Sequence, residues 1–597
     1  MAGHKIDPEK GIKIRSGIIL FAAVTCIILL SLHFFYIQIS QNSKYFSRVD
    51  DLTKTGKSLR GKRGEIFDCN GNLLVANQPC VRIIASPCNI KTDTLRRKAA
   101  GLMVEYLGGD FSFYYKKLAP VVRRRQKDGS FILKPNVYQQ IARFAPCDKG
   151  YRLQEELQKI KINFNTVSFQ EISRRIYPKG KLLANVLGYS DLEKDNDVPR
   201  SGLEKKLDSA IAQKSGFTEY GRARDGKRLD YVDNIVKPSQ DGKNVYLTIS
   251  EPIQAILEEE LDRGMAEYAP KTIYAAIADP ATGDILAIAQ RPTYDPNDRS
   301  TYKSEAIPNR IAEDAYEPGS VVKPFVISRA LDLGVIHPGM IFDGEQGKWE
   351  EERNLRDTHD YGQMDVAKII QKSSNIGTAK IAKLLGKNQV YLTLLLFGAG
   401  QKTNLPFPIE SSGRIAPPAK WDKYSITRFP IGYGVLWTPL QLLRAYCGLA
   451  NNGLMPQLNI VSRYEDTATG KITTPAKKSF LQLFRKPDTA AQIVEMMIKV
   501  TQPGGTATRA AIPGYEVAGK TGTSHRVING RYSNQKLASF VGFVPARKPR
   551  LVMLVSVDKP SKIGTHGGTV AAPIFSRTAQ RILQYLNIAP DQPVPEK

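Results

Sequence analysis

Residues 16–37, SGIILFAAVTCIILLSLHFFYI, run for 22 positions without a formal charge, and the next charged residue is Lys44. As a helix this stretch spans about 33 Å, enough for a hydrocarbon core of about 30 Å. It ends in aromatic rather than small residues, which predicts an uncleaved anchor over 16–38 instead of a cleaved signal peptide. Lys5, Lys10, Lys13 and Arg15 precede it, so the positive-inside rule expects 1–15 in the cytoplasm and the ~550 residues that follow outside. Residues 39–240 read as short mixed elements broken by Gly and Pro. Within them RGKRGEIFDCNGNLL (60–74) predicts strand, Asn70-Gly71 turn, strand.

From Lys243 the texture changes. KNVYLTIS alternates like a strand, EPIQAILEEELDRGMAEY repeats like an amphipathic helix, and TIYAAIADPATGDILAIAQ (272–290) predicts two buried strands around a turn. LASFVGFVPARKPRLVMLVSV repeats that buried-strand pattern near the C-terminus, and the residues between are mainly helical. Strands at both ends with helices between predict one large α/β domain, 241–588, whose sheet joins distant segments. VYLTLLLF (390–397) is too short to cross a bilayer and is expected in the core. The tail 589–597 is expected to be mobile.

Charge narrows the function. Lys and Arg exceed Asp and Glu by 85 − 58 = 27, so anionic partners are expected. An extracytoplasmic domain seldom meets nucleic acid, which leaves membrane and wall; RRRQK (123–127) is expected to be a solvated or lipid-facing patch. DLTKTGKS (51–58) ends like a phosphate-binding loop but carries Asp51 where the first glycine belongs. No C-x-x-C occurs and the histidines form no ligand cluster, so neither metal nor cofactor is expected. Cys69, Cys80, Cys88, Cys147 and Cys447 follow the anchor, an odd number that cannot all pair within the chain.

The candidate chemistry lies in EDAYEPGSVVKPF, where Ser320 precedes Lys323 by three residues. The same Ser-x-x-Lys spacing recurs at Ser300/Lys303, Ser533/Lys536 and Ser556/Lys559, so it decides nothing alone. The pairs at 533 and 556 lie beyond Lys520-Thr521-Gly522-Thr523, whereas the pair at 320, which opens a helix after a Pro-Gly turn, is followed by Ser373-Ser374-Asn375 and then by Lys520-Thr521-Gly522-Thr523, at intervals of 373 − 320 = 53 and 520 − 373 = 147. Lys54-Thr55-Gly56 and Ser40-Gln41-Asn42 imitate two of these motifs but lie upstream of any candidate nucleophile. A serine hydroxyl is a poor nucleophile near neutral pH and needs a base within reach. Lys323 can be that base only if it is neutral, which an ordinary lysine of pKa ~10.4 is not. Lys303 and Lys536 are expected to be surface lysines.

With these motifs in this order, the chain resembles class B penicillin-binding proteins, monofunctional peptidoglycan transpeptidases. RRIYPKGKLLANVLGYS, SGLEKKLDSAI, PIGYGVLWTPLQLLRAYCGLANNG and GGTVAAPIFSRTAQRIL extend the resemblance over nearly the whole chain. YEPGS and FVGFVPARKPRLVMLVSVDKP are more similar to the septal, cell-division branch than to the elongation branch, while KTGTSHR departs from the more usual KTGTAQ. The resemblance implies a multidomain α/β protein: one transmembrane helix, a mixed α+β pedestal of dimerisation type (39–240) and a serine β-lactamase-like transpeptidase domain. It implies Ser320 as nucleophile, Lys323 as base, Ser373 as relay to the leaving amine and Asn375 as the amide that holds substrate and lysine. Lys520, Thr521 and Thr523 would favour the substrate carboxylate, Gly522 would let the strand come close to substrate, and the backbone N–H groups of Ser320 and Thr523 would form the oxyanion hole. Implied partners are D-Ala-D-Ala stem peptides, β-lactams as covalent inhibitors, a multi-span lipid II polymerase and other division proteins. An elongation-type transpeptidase, a D,D-carboxypeptidase, a β-lactamase and a β-lactam-sensing receptor or scaffold share the acylatable serine.

Overall fold

The computed structural model describes residues 8–41, 54–59, 61–125, 128–193, 196–222, 228–229, 236–475, 479–528 and 530–593. These group into two units, one of residues 1–61 with 213–241 and one of 62–212 with 242–597. Asp51, Asn42, Gln126, Lys127 and the last four residues of the tail lie outside the described residues, and with them parts of four readings above.

In the smaller unit, α1 (Pro8–Phe35) continues through a wider turn, Tyr36–Ser40. Arg15–Ile39 is long and apolar enough to cross a membrane. Lys54–Leu59 pairs antiparallel with Gly216–Arg222, so the decoy Lys54-Thr55-Gly56 belongs to a different unit from the other motifs.

The larger unit is built on two sheets. β1 (Ile66–Phe67) and β2 (Leu73–Ala85) flank the expected turn, where Gly71 takes φ +86°. The Asp68 carboxylate fixes that turn by accepting from the backbone N–H of Asn70 at 2.8 Å and of Asn72 at 2.7 Å. β3 (Gln139–Pro146) and β4 (Val167–Ile176) both pair with β2. β5 (Asn244–Leu247) then lies parallel to β1, with Val245 opposite Ile66, and antiparallel to a strand at 461–465. One sheet therefore takes strands from both halves of the chain. Beside it Glu204, fully buried, accepts from Arg63 Nε at 3.0 Å and Arg175 Nε at 2.6 Å. Burial alone would raise the pKa of this carboxyl, but Arg175 and Arg63 hold it below the usual value.

The second sheet begins after α2 (Glu251–Tyr268) with β6 (Thr272–Ala278) and β7 (Ile285–Arg291). α3 (Lys323–Asp332), α4 (Val366–Lys372), α5 (Asn375–Leu385) and α6 (Pro439–Ala450) intervene before β8 (Ala518–Ile528), β9 (Arg531–Val544) and β10 (Leu551–Asp558), and α7 (Gly567–Tyr585) follows. The sheet order is β7-β6-β10-β9-β8, which places the Lys520-Thr521-Gly522 strand at an edge. β6 and β10 are buried at every position, as unbroken apolar runs require when helices cover both faces. α2 and α7 are joined by Arg577 and Arg581 on Glu260. Val390 and Leu394 of the VYLTLLLF segment lie in the core.

Candidate active site

Pro318 and Gly319 lead into a single tight helical turn, Gly319–Val322, that runs directly into α3. In such a turn residues i and i+3 eclipse, so Ser320 and Lys323 share one side. Gly319 takes φ +62° and donates its N–H to Gly432 O at 3.2 Å. A Cβ on Gly432, itself at φ +84°, would lie 2.1 Å from Gly319 O. Two glycines therefore let the Ser320 turn and the PIGYG loop meet backbone to backbone.

The second motif is a break between helices. IIQKSSNIGTAKIAKLL holds the end of one helix and the start of the next, because Ser373 adopts a left-handed conformation at φ +59° and ends α4. Ser374 then caps α5 by accepting from Gly377 N–H at 2.9 Å. Ser374 does the capping, and its two neighbours turn inward. Lys323 Nζ donates to Ser373 O at 2.5 Å and to Asn375 Oδ1 at 2.7 Å, with Ser373 Oγ at 3.3 Å. Lys520 Nζ reaches Ser373 Oγ at 2.8 Å from the other side. The three sequence-distant motifs thus converge on one hydroxyl.

Both lysines are fully buried. Burial pulls the Lys323 amine down to about 7, although the Asp357 carboxylate acts in the opposite direction. Burial, with Lys323 beside it, holds Lys520 well below the ordinary lysine value. A neutral amine has two hydrogens and one lone pair. At Lys323 the hydrogens are taken by Ser373 O and Asn375 Oδ1, which leaves the lone pair free to accept a proton. Ser320 is half-buried, and its Oγ forms no hydrogen bond among the described residues.

The third motif packs against the first. A Cβ on Gly522 would lie 2.9 Å from Pro318 O and 2.6 Å from Ser539 Oγ, so this glycine lets β8 approach the nucleophile turn rather than substrate alone. Thr523 O comes within 3.1 Å of where a Gly319 Cβ would stand. Thr521 Oγ1 lies 3.0 Å from Thr506 Oγ1, and Thr523 Oγ1 accepts from Gly567 N–H at 3.3 Å. Lys303 is exposed, and Lys536 is half-buried with Nζ 3.4 Å from Thr565 Oγ1.

Three residues outside the three motifs, Arg356, Asp357 and Glu317, also meet here. Asn375 Nδ2 donates to Arg356 O at 2.7 Å, and Asn375 N–H to Asp357 Oδ1 at 2.5 Å. Glu317 Oε1 accepts from Gly434 N–H at 2.7 Å and Tyr532 OH at 3.1 Å, and burial raises the Glu317 pKa. The acid in YEPGS thereby ties the nucleophile turn to the PIGYG loop and to β9. Only its place three residues before Ser320 marked it in the sequence.

Two family models match the chain: the penicillin binding protein transpeptidase domain over residues 273–580 and the penicillin-binding protein dimerisation domain over 58–247. A probable peptidoglycan D,D-transpeptidase PenA from Neisseria gonorrhoeae is 32% identical over 543 residues, 90% of this chain and 87% of that protein. The peptidoglycan D,D-transpeptidase FtsI of Escherichia coli K12 is 30% identical over 554 residues, 91% of this chain and 88% of its own. Among solved structures, penicillin binding protein 2X from Streptococcus thermophilus superposes with a TM-score of 0.74 at 25% identity, covering 89% of this chain and 80% of its own.

Proposed function

Because this chain belongs to the penicillin-binding transpeptidase family, we propose that Ser320 is its acylated residue in peptidoglycan cross-linking. The observation that carries the assignment is the convergence of Lys323 and Lys520 on Ser373 Oγ beside the Ser320 turn. Ser320 Oγ attacks the carbonyl carbon between the two D-Ala residues of a stem peptide as its proton passes to Lys323. The peptide bond then breaks, an ester forms on Ser320, and the departing D-Ala amine takes a proton through Ser373. The amine of a neighbouring stem peptide next attacks the ester, frees Ser320 and leaves a new amide cross-link. Asn375 holds Lys323 and a substrate carbonyl, and Lys520, Thr521 and Thr523 attract the terminal carboxylate. The N–H groups of Ser320 and Thr523 stabilise the developing oxyanion, aided by the turn's unsatisfied donors. β-Lactams acylate the same hydroxyl.

The domain limits proposed are 1–15, 16–38, 39–240, 241–588 and 589–597. The apolar Arg15–Ile39 helix anchors the protein in the bacterial cytoplasmic membrane by a single pass. Its basic flank keeps the N-terminus cytoplasmic and the catalytic domain outside. The septal features of YEPGS and the β9–β10 run support a role in division, with a multi-span lipid II polymerase supplying the glycan. Intact-protein and peptide mass spectrometry after penicillin treatment tests the nucleophile: one adduct is expected, on Ser320, and none in Ser320→Ala. An adduct that persists in that variant rejects Ser320. Formation of cross-linked dimers from defined stem peptides, rather than D-Ala release alone, separates the transpeptidase from a carboxypeptidase.

A further inference from the structure

The segment just before α4 carries no catalytic motif, yet it grips Asn375 at both ends. Leu355–Arg356 pairs with Lys348–Trp349, and Asp357 N–H donates to Gly347 O at 3.1 Å, so the segment is held by a small hairpin outside the helices. From there Arg356 O accepts the Asn375 side-chain amide at 2.7 Å. Asp357 Oδ1 accepts the N–H groups of Asn375 at 2.5 Å and Ile376 at 3.3 Å, and Oδ2 accepts from Ser374 Oγ at 2.5 Å. Asn375 Oδ1 is what Lys323 Nζ bonds at 2.7 Å. The path from carboxylate to amine therefore crosses one residue.

We propose that Asp357, assisted by the Arg356 carbonyl, is a positioning residue that fixes Asn375 against Lys323 and so tunes that amine. Asp357 touches neither substrate nor the reacting atoms and acts through Asn375 and through its charge. With the Asn375 amide N–H committed to Arg356 O, its oxygen has to face Lys323, and the geometry thus selects the orientation of the Asn375 amide. Among described residues the charged groups turned toward Lys323 are Lys520 on β8 and Asp357. Lys372 at the end of α4 donates away, to Gly504 O at 2.7 Å, and Glu317 is taken by Gly434 and Tyr532. At Lys323 burial favours the neutral amine and Asp357 opposes it, while at Lys520 burial and the neighbouring Lys323 act in the same direction. The carboxylate keeps Lys323 near the middle of the useful range, basic enough to take the serine proton and still able to give it up.

The inference rests on Lys323 serving Ser320, and its test reads the two separately. The rate of acylation by a fluorescent penicillin is followed across neutral pH for the full-length protein and for Asp357→Asn, Asp357→Ser and Asp357→Glu. Loss of a negative charge lowers the Lys323 pKa, so in the Asn and Ser variants the acidic limb moves to lower pH, by up to about one unit. The high-pH plateau falls in both. Asp357→Glu keeps the limb near its wild-type position. Asp357→Ser is a second neutral variant for the case in which the Asn variant does not fold. A limb that stays at the wild-type pH in a folded neutral variant reduces Asp357 to a helix cap and overturns the inference. If the wild-type adduct is not on Ser320, the reading beneath it fails instead.

Discussion

Lys323 meets two opposed demands in one side chain. It must be buried to lose its proton, and it must find partners for its hydrogens once buried. Ser373 O and Asn375 Oδ1 meet the second demand, and because both only accept, neither occupies the nitrogen lone pair. For acylation the sign follows directly: the rate rises with pH as Lys323 deprotonates, with an acidic limb near its value of about 7. Lys323→Arg places a group there that stays protonated at any working pH, so acylation falls by about 10²–10⁴-fold, measured with the fluorescent penicillin, with the fold retained by circular dichroism. At this scale the motifs in the sequence singled out Lys323, Ser373, Asn375 and Lys520, which the fold brings into contact beside the Ser320 turn. They were not enough to name Glu317, Arg356 or Asp357, whose work is done by one carboxylate oxygen or one backbone carbonyl across a tertiary contact. No local spacing encodes that.

Elements were legible where one periodicity held throughout. The unbroken apolar runs of β6 and β10 and the alternating strand at 244–247 follow from burial on two faces or one. The break at Ser373 was not legible, because apolar positions keep helical spacing across it and only backbone conformation separates α4 from α5. Gly522 was read as making room for substrate; its nearest neighbours are in the nucleophile turn and β9. The element junction most exposed to failure is the one around Glu204, where a single carboxylate answers two guanidiniums in the core. Glu204→Ala leaves Arg63 and Arg175 short of a partner and should cost about 3–5 kcal/mol in denaturant unfolding. Asp208 still pairs with Arg63 at 2.5 Å, so the lower end of that range is expected.

For the whole molecule, composition and the apolar N-terminal stretch set the expected environment. Deleting residues 1–40 should release the protein from membranes without detergent and leave the acylation rate within about twofold of wild type, because no residue of the site lies there; retention in the membrane fraction would instead place a second attachment elsewhere. Sequence order alone did not show how the chain groups. Residues 62–212 form one compact unit with 242–597, although a family model separates much of that span as a dimerisation domain. The physical reason is β5, which must pair with β1 on one edge and with residues 461–465 on the other to bury Val245 and Leu247.

That pairing also has a mechanical meaning. On the function proposed above, with a stem peptide esterified to Ser320 and α1 in a bilayer, the protein is a covalent tether between wall and membrane. β1 and β5, which run parallel, are one of the joints between the earlier and later segments of the larger unit. Pulled along their length, the two strands load their hydrogen bonds together in shear instead of opening one after another like a zip. A junction of a few residues can in this way keep the catalytic half in register while the growing wall drags on it.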